Sequence, residues 1–462
     1  MDRRSGWLLA LSAFVACIWL NQSVGGKDWE DLRDRVFAAP ASNPVQFARY
    51  PFVFLYRRSA DERLYYEAAG AMLGAPYDED VLRTMRGRLP PSFDVPLPPV
   101  DGKWHAPFRE VPMEYPPLLL PFVLVPRALV SSFEGFGYVF GTLMGLCLVL
   151  AIALGLDAAR RAGEDAPGMR RRAWMATALL LAQGALAIQR LDAVSTLALA
   201  LGVHAAVRRR PGQVGFWFGL AGATKIVPIL ALPAVLAADP SLYRDRAAQL
   251  RLAAGTAVAL ALGFVPMILL SPHALPDMLG YHAARGLHCE STLGVLITLG
   301  RLALGAGAAA TPSFGSMNLE GALPDVLAKV SGPLMLAGAL FVAVRAYRAP
   351  VHGPSRVALV TVTALAALWL TGKVLSPQYF TWAIPLVLAI PGKEGMRLAW
   401  ALVVAMAVTQ LYLRGYYDLV AEGAWLGVLS VAVRQGILAV ASARAVCAIR
   451  AGGAQDGGAL SG

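Results

Sequence analysis

Two adjacent carboxylates, Asp61 and Glu62, head the segment ADERLYYEAAGAMLGAPY. A carboxylate held at a water-facing rim can take a proton from a hydroxyl, so this pair is where a general base would sit, Asp61 first and Glu62 second. Tyr65 and Tyr66 follow one helical turn later, and Tyr115 closes the same polar stretch in MEYPP. Their hydroxyls can face a substrate, or their rings can simply pack at an interface where aromatics collect. Further along, polar groups recur against apolar sequence. Arg190 and Asp192 share QRLDAV, and Lys225 interrupts GATKIVP. His282, Arg285, His288 and Glu290 crowd YHAARGLHCES, while Lys373, Gln378 and Tyr379 open KVLSPQYFTW. A charge inside an apolar run costs about 2.5–3.5 kcal/mol even on the lenient insertion scale, so Lys225 and Lys373 ask for a reason. Each has a bland reading too: a cation at a helix end snorkels to headgroups, and Arg190 with Asp192 reads equally as an ion pair. Several cations beside two carboxylates suit an anionic, lipid-linked substrate better than packing. Three of the six histidines fall between residues 273 and 288, but their spacing fits no zinc pattern, and no metal or other cofactor is expected.

These residues need a scaffold, and the composition names its solvent. Of 462 residues 57% are hydrophobic and only 15% charged, with a mean hydropathy of +0.54. Soluble chains carry about 25% charged residues, so this is an integral membrane protein. The net charge of +11 does not mark a nucleic-acid binder. Residues 25–115 hold 12 basic and 14 acidic side chains. The remaining 29 basic and 16 acidic ones gather in short clusters between apolar runs. That is the positive-inside pattern of loops facing anionic lipid. Cys17, Cys147, Cys289 and Cys447 stand alone and imply no disulfide.

Apolar runs of about 20 residues are needed to cross ~30 Å of hydrocarbon. Reading them with the basic clusters predicts one polytopic, all-α domain over 1–462, a bundle of about ten to thirteen helices. A first span over 6–24 starts inside and is retained rather than cleaved. A large external loop, 25–115, follows and carries the acidic pair. Further spans are predicted over 135–156, 173–189, 191–207, 252–270, 327–346, 357–372, 374–391, 397–413 and 424–446. The run 213–238, interrupted by Lys225, Pro228 and Pro233, reads as a broken or re-entrant pair. A second external segment covers 271–326, and residues 451–462 form a disordered tail. PPLLLPFVLVP cannot be a full span, because the arginine clusters at 170–172 and 208–210 would then fall outside, so 116–131 is interfacial or partly inserted.

With these residues laid out, the chain resembles the polytopic GT-C glycosyltransferases, most closely glycosyltransferase family 87, whose members use polyprenyl-phosphate sugars (mannosyl- and arabinofuranosyltransferases). The resemblance rests on six segments in order: ADERLYYEAAGAMLGAPY, EYPP, QRLDAVSTLALAL, GLAGATKIVPILALP, YHAARGLHCES and KVLSPQYFTWAIPL. Glu62 stands where the family more usually has an aromatic, and the stretch from Val81 to Arg109 is longer and richer in proline than expected. The resemblance implies transfer of a sugar, mannose by default and arabinofuranose as the alternative, from a polyprenyl phosphate to an acceptor hydroxyl with inversion. The acceptor is a glycolipid, a glycan or a protein hydroxyl. Polyprenyl phosphate leaves as a stable anion and needs no acid; the attacking hydroxyl needs a base, which is Asp61 or Glu62. Lys373, Arg285 and His282 would meet the phosphate, with Arg190, Lys225, Gln378 and Tyr379 behind them. Tyr65, Tyr66, Asp192, His288, Glu290 and Tyr115 would contact substrate. Leu118 to Val125 would wall a groove for the prenyl tail. The resemblance, with arginine far outnumbering lysine, places the chain in a bacterial inner membrane with its site on the external face. The rival reading, a transporter or flippase of lipid-linked sugar, would use broken helices and intramembrane charges too.

Overall fold

A computed structural model describes residues 60–86 and 96–450. The first predicted span, the start of the external loop and the tail 451–462 lie outside the described residues. Helices α1 (Ala60–Met72), α2 (Glu79–Arg86) and α3 (Leu120–Leu129) precede the bundle. The bundle begins with α4 (Phe133–Arg161), α5 (Ala166–Gln183), α6 (Asp192–Val207), α7 (Pro211–Thr224), α8 (Leu232–Ala238) and α9 (Arg246–Leu270). A polar insert follows, made of α10 (Ala274–Ala284), β1 (Leu287–His288), α11 (Thr292–Ala303), β2 (Thr311–Ser313) and β3 (Ser316–Leu319). Helices α12 (Ala322–Tyr347), α13 (Pro354–Thr371), α14 (Ile384–Ala389), α15 (Gly392–Gly415), α16 (Tyr417–Ala421) and α17 (Trp425–Arg450) complete the chain.

Six of these helices, α4, α9, α12, α13, α15 and α17, are long and apolar enough to cross a membrane. The helical, multi-pass class is therefore as the composition predicts, while a count of ten to thirteen depends on shorter helices such as α6. Helix boundaries follow local chemistry. Ser132 caps α4 by accepting from the Gly135 amide at 3.1 Å, Asp165 caps α5 and Asp245 caps α9 in the same way. Lys225 is extended and stops α7; Pro228 then sits in a 3-10 turn, Val227–Ala231, that feeds α8. The run 213–238 is thus broken where its Lys and Pro fall. A second 3-10 turn, Pro377–Ala383, breaks the run before α14.

Close helix approach depends on small residues. A Cβ on Gly215 would lie 2.0 Å from the Leu252 carbonyl oxygen, and one on Gly255 would lie 2.1 Å from that of Gly212. The α7 and α9 backbones therefore touch, which only glycine permits and which replaces a hydrophobic driving force inside lipid. Large apolar side chains of α9, α12 and α17 remain exposed, among them Leu262, Leu269, Leu340, Phe341 and Val440, as lipid-facing surfaces require.

The bundle has two polar ends. At one, Arg172 is fully buried and donates to Glu164 at 2.8 Å and to the carbonyls of Leu388 and Gly392 at 3.1 Å, tying α5 to α14 and α15. The arginine clusters 160–161 and 208–210 lie at this end, where the Gly353 amide also donates to the Ala238 carbonyl. The other end carries the polar insert. Its small antiparallel sheet runs β1-β3-β2, with Phe314 and Gly315 forming a two-residue turn at φ 48° and 67°. Tyr281 donates to the Phe314 carbonyl at 2.9 Å and packs edge-on against its ring, which holds this unusual conformation for a bulky residue.

Candidate functional site

Helix α1 reaches this second end packed against the bundle rather than standing out in solvent. Tyr65 packs at a tilt against Phe140, and Tyr66 packs edge-on against Phe133 and Phe136 and donates to the Ser131 carbonyl. The Arg127 guanidinium lies 4.6 Å from the Tyr66 ring centre and donates to the carbonyls of Pro76 and Val130. Arg127 thereby ties α3 to the loop, in keeping with α3 being a short interfacial helix; Tyr66 is an anchor. Leu118 sits against α9 near Gly263.

Anchoring α1 places Asp61 at its first turn, where it forms an ion pair with Arg190. Glu62, beside it, is buried. Arg190 comes from the turn between α5 and α6, and burial pulls its guanidinium down to about 10, so it stays charged at neutral pH. One turn into the same connection, Asp192 is only 3% exposed. It accepts from Lys225 Nζ through both oxygens, at 2.8 and 2.9 Å, and from Trp382 Nε1 at 2.9 Å. The extended backbone at Lys225 is what swings its side chain to Asp192. Tyr379 and Trp382 stack with ring centres 4.6 Å apart, and Lys225 Nζ lies 4.8 Å from the Tyr379 centre. This stack follows from the 3-10 turn, in which residues three apart eclipse one another. Burial raises the hydroxyl pKa values of both Tyr65 and Tyr115, which lie 3.2 Å apart near Asp192 and Glu62. Both remain neutral hydrogen-bonding hydroxyls, not bases.

The polar insert supplies cations. Lys373 Nζ donates to the Ala283 carbonyl at 2.8 Å, at the C-terminal end of α10 where a positive charge is favoured. Arg285 follows that helix and its Nε donates to Ser316 Oγ at 3.2 Å. Burial and the neighbouring Arg285 lower the Lys373 ammonium pKa. Desolvation and the charges of Arg285, Lys225 and Lys373 bring the His282 imidazole down to about 4, leaving it neutral. Among the described residues neither Arg285 nor Lys373 has a carboxylate partner. Asp61 is taken by Arg190 and Asp192 by Lys225, so the surplus positive charge of the rim rests on this pair. Gln378 accepts from Ser376 Oγ at 2.7 Å at the edge of the same group.

Two predicted substrate contacts stand one layer back. Glu290 is 2% exposed. Its carboxylate takes Arg434 Nη1 at 2.8 Å and the Tyr412 hydroxyl, while its carbonyl takes Arg434 Nη2 and Gln435. This is a buried clasp between the insert and helices α15 and α17, with no open face toward the rim. His288 is buried beside it, and its amide donates to the Lys373 carbonyl at 2.9 Å. That bond ties the backbone of β1 to that of Lys373.

Sequence reasoning missed Trp382, Arg434 and Arg127. A lone arginine in an apolar helix was the available signal for the last two, and a Tyr-x-x-Trp spacing between Pro377 and Pro385 for the first. It also missed Gln183, which donates to the Pro377 carbonyl and Thr381 Oγ1 at 3.1 and 3.0 Å and fixes the 3-10 turn from behind. Among the described residues no three His, Cys, Asp or Glu side chains come together as a metal-ligand group.

No curated protein matches the chain. The model of glycosyltransferase family 87 matches residues 114–377, which hold Arg190, Asp192, Lys225, His282, Arg285 and Lys373; Asp61 and Glu62 precede that span, and Gln378, Tyr379 and Trp382 follow it. That span is more than half of the 462 residues, and with the multi-pass helical fold it settles the assignment: the chain belongs to glycosyltransferase family 87 and is a membrane glycosyltransferase.

Proposed function

We propose that the rim is the transfer site, and that the protein moves a sugar, mannose by preference, from a polyprenyl phosphate to an acceptor hydroxyl with inversion. Asp61 accepts the hydroxyl proton as the acceptor oxygen bonds to the anomeric carbon. The bond from that carbon to the phosphate oxygen breaks, and polyprenyl phosphate departs with the electron pair. The observation that carries this reading is the pair Arg285 and Lys373, which has no carboxylate partner among the described residues, on the rim that also holds Lys225 and Asp61. A cation with no carboxylate of its own is free to meet charge building on a leaving phosphate, and preorganised charge of this kind needs no rearrangement at the moment of reaction. Neutral His282 can donate to a phosphate oxygen without adding charge.

Arg190 pairs with Asp61, so this contact must loosen before Asp61 acts as base. A donor phosphate arriving on the rim is a competing anion for Arg190, which couples donor binding to exposure of the base. The arginine-rich opposite end faces the cytoplasm under the positive-inside rule, which puts this rim on the external face of a bacterial inner membrane.

The test is transfer from radiolabelled polyprenyl-phosphate mannose to membrane glycolipids by purified protein, wild type beside Asp61→Asn. A loss of about 10²–10⁴-fold, the usual worth of a general base, is expected in a variant that unfolds at the wild-type temperature. Undiminished transfer by Asp61→Asn would remove the base from Asp61. Transfer only from an arabinofuranose donor would correct the sugar and keep the site.

A further inference from the structure

The opposite end of the bundle carries a cavity of about 670 Å³ that has no part in the transfer site. Arg161, at the end of α4, forms one wall; Arg208 and Arg210, in the turn between α6 and α7, form another; Pro354 and Ser355, at the start of α13, form a third. The turn is built to present its arginines. Arg209 adopts φ 53°, a left-handed conformation that costs a side-chain-bearing residue about 1–2 kcal/mol and is normally left to glycine. The Arg209 amide donates to the Ala206 carbonyl at 2.8 Å and the Arg210 amide to that of Ala205 at 3.0 Å, closing the helix end. Arg209 then points to Asp239, 3.7 Å away.

This leaves Arg208 and Arg210 without an ion-pair partner among the described residues. Asp157, the carboxylate paired with the cavity's Arg161, is already used: it takes Arg160 and Arg161 at 2.5 Å and His204 at 3.0 Å. Arg161 engages it through Nε alone, which leaves its terminal nitrogens available. The first turn of α13 has a glycine, Gly353, at its cap and no side chain accepting its amides. Its positive dipole end and the Ser355 hydroxyl therefore add donors to the same space.

Guanidinium forks match two oxygens of a phosphate at once. The cavity also lies within the range of about 300–1,000 Å³ that ligand pockets occupy. We propose that this cavity is a phosphate-binding site, filled by the headgroup of an anionic phospholipid or by free phosphate. It stands apart from the transfer reaction and does not depend on which sugar is moved.

The experiment measures thermal stabilisation of full-length protein in neutral detergent. Short-chain phosphatidylglycerol, short-chain phosphatidylcholine and inorganic pyrophosphate are titrated at matched ionic strength. Arg208→Gln/Arg210→Gln removes two cavity charges. Arg170→Gln/Arg171→Gln removes two charges from the same end outside the cavity. The expected result is saturable stabilisation by phosphatidylglycerol, weakened at least tenfold in the first double variant and kept in the second, with phosphatidylcholine weaker in all three. Saturable stabilisation by pyrophosphate, with no stronger effect of phosphatidylglycerol, would support the site and name free phosphate as its source. Equal weakening in both double variants, or no saturable response of the wild type to either anion, would overturn the proposal. Unliganded unfolding temperatures establish that both variants are folded.

Discussion

Lys225→Met isolates the energetics at the centre of the rim. Asp192 is 3% exposed and is held by three donor contacts, two of them from Lys225 Nζ. At 2.8 Å and an effective dielectric of about 20, the Lys225–Asp192 attraction is ~6 kcal/mol before the cost of dehydrating both groups. Removing Lys225 alone leaves the carboxylate buried with only Trp382 Nε1, so the variant is expected to lose about 3–5 kcal/mol of stability. Removing the other partner costs less. The Lys225 side chain is 17% exposed, so in Asp192→Asn the ammonium stays partly hydrated over Tyr379, at an expected cost of about 1–2 kcal/mol. The double variant removes both charges and should recover to within about 2 kcal/mol of wild type, a coupling of roughly 3 kcal/mol. Unfolding in mixed micelles by graded additions of dodecyl sulfate measures all four corners of the cycle. A Lys225→Met loss below about 1 kcal/mol, with additive single variants, would refute the reasoning, since Asp192 would then be neutral or watered. Transfer activity adds a second reading. If Lys225 acts only by holding Asp192, the double variant regains activity with stability; if it meets the donor phosphate, it does not.

Arg434→Met should lower stability by about 3–5 kcal/mol by stranding buried Glu290, with partial recovery in Arg434→Met/Glu290→Gln; thermal unfolding checks it, and equal losses in both would deny the pair. His288 is held neutral, its imidazole brought down from 6.5 to about 4 by burial. The unfolded chain therefore takes the proton first as pH falls. Its stabilising share is complete above about pH 6.5 and is lost progressively toward pH 4, by up to about 3 kcal/mol, and His288→Gln should flatten that part of the stability profile. Gly215→Val puts side-chain atoms where a Cβ would already meet the Leu252 carbonyl oxygen at 2.0 Å. It should cost at least about 1–3 kcal/mol, read as a lower unfolding temperature, while the exposed Gly300→Ala, with nothing near its Cβ, should leave the temperature unchanged.

Much of this protein is legible without coordinates. Hydropathy and the clustering of arginine determine a multi-pass helical bundle with two unlike ends, because lipid leaves a chain few ways to satisfy its backbone. The same pattern places the break near Lys225 and Pro228, since an extended or proline-bound residue cannot carry a helix onward, but it reads 374–391 as one span and misses the 3-10 break at Pro377. The candidate residues are legible by type, because a charge in apolar sequence is costly enough to stand out. Partnership is not legible. Nothing in the spacing says that Asp192 belongs to Lys225 and Trp382, that Asp61 faces Arg190 across 129 positions, or that Glu290 is closed away by Arg434 while Arg285 and Lys373 stay open. Those choices are made where α1, the turn before α6, the 3-10 turn at Pro377 and the polar insert meet. They depend on crossing geometry set by contacts such as Gly215 on Leu252, which act through packing over distances that a linear pattern does not encode.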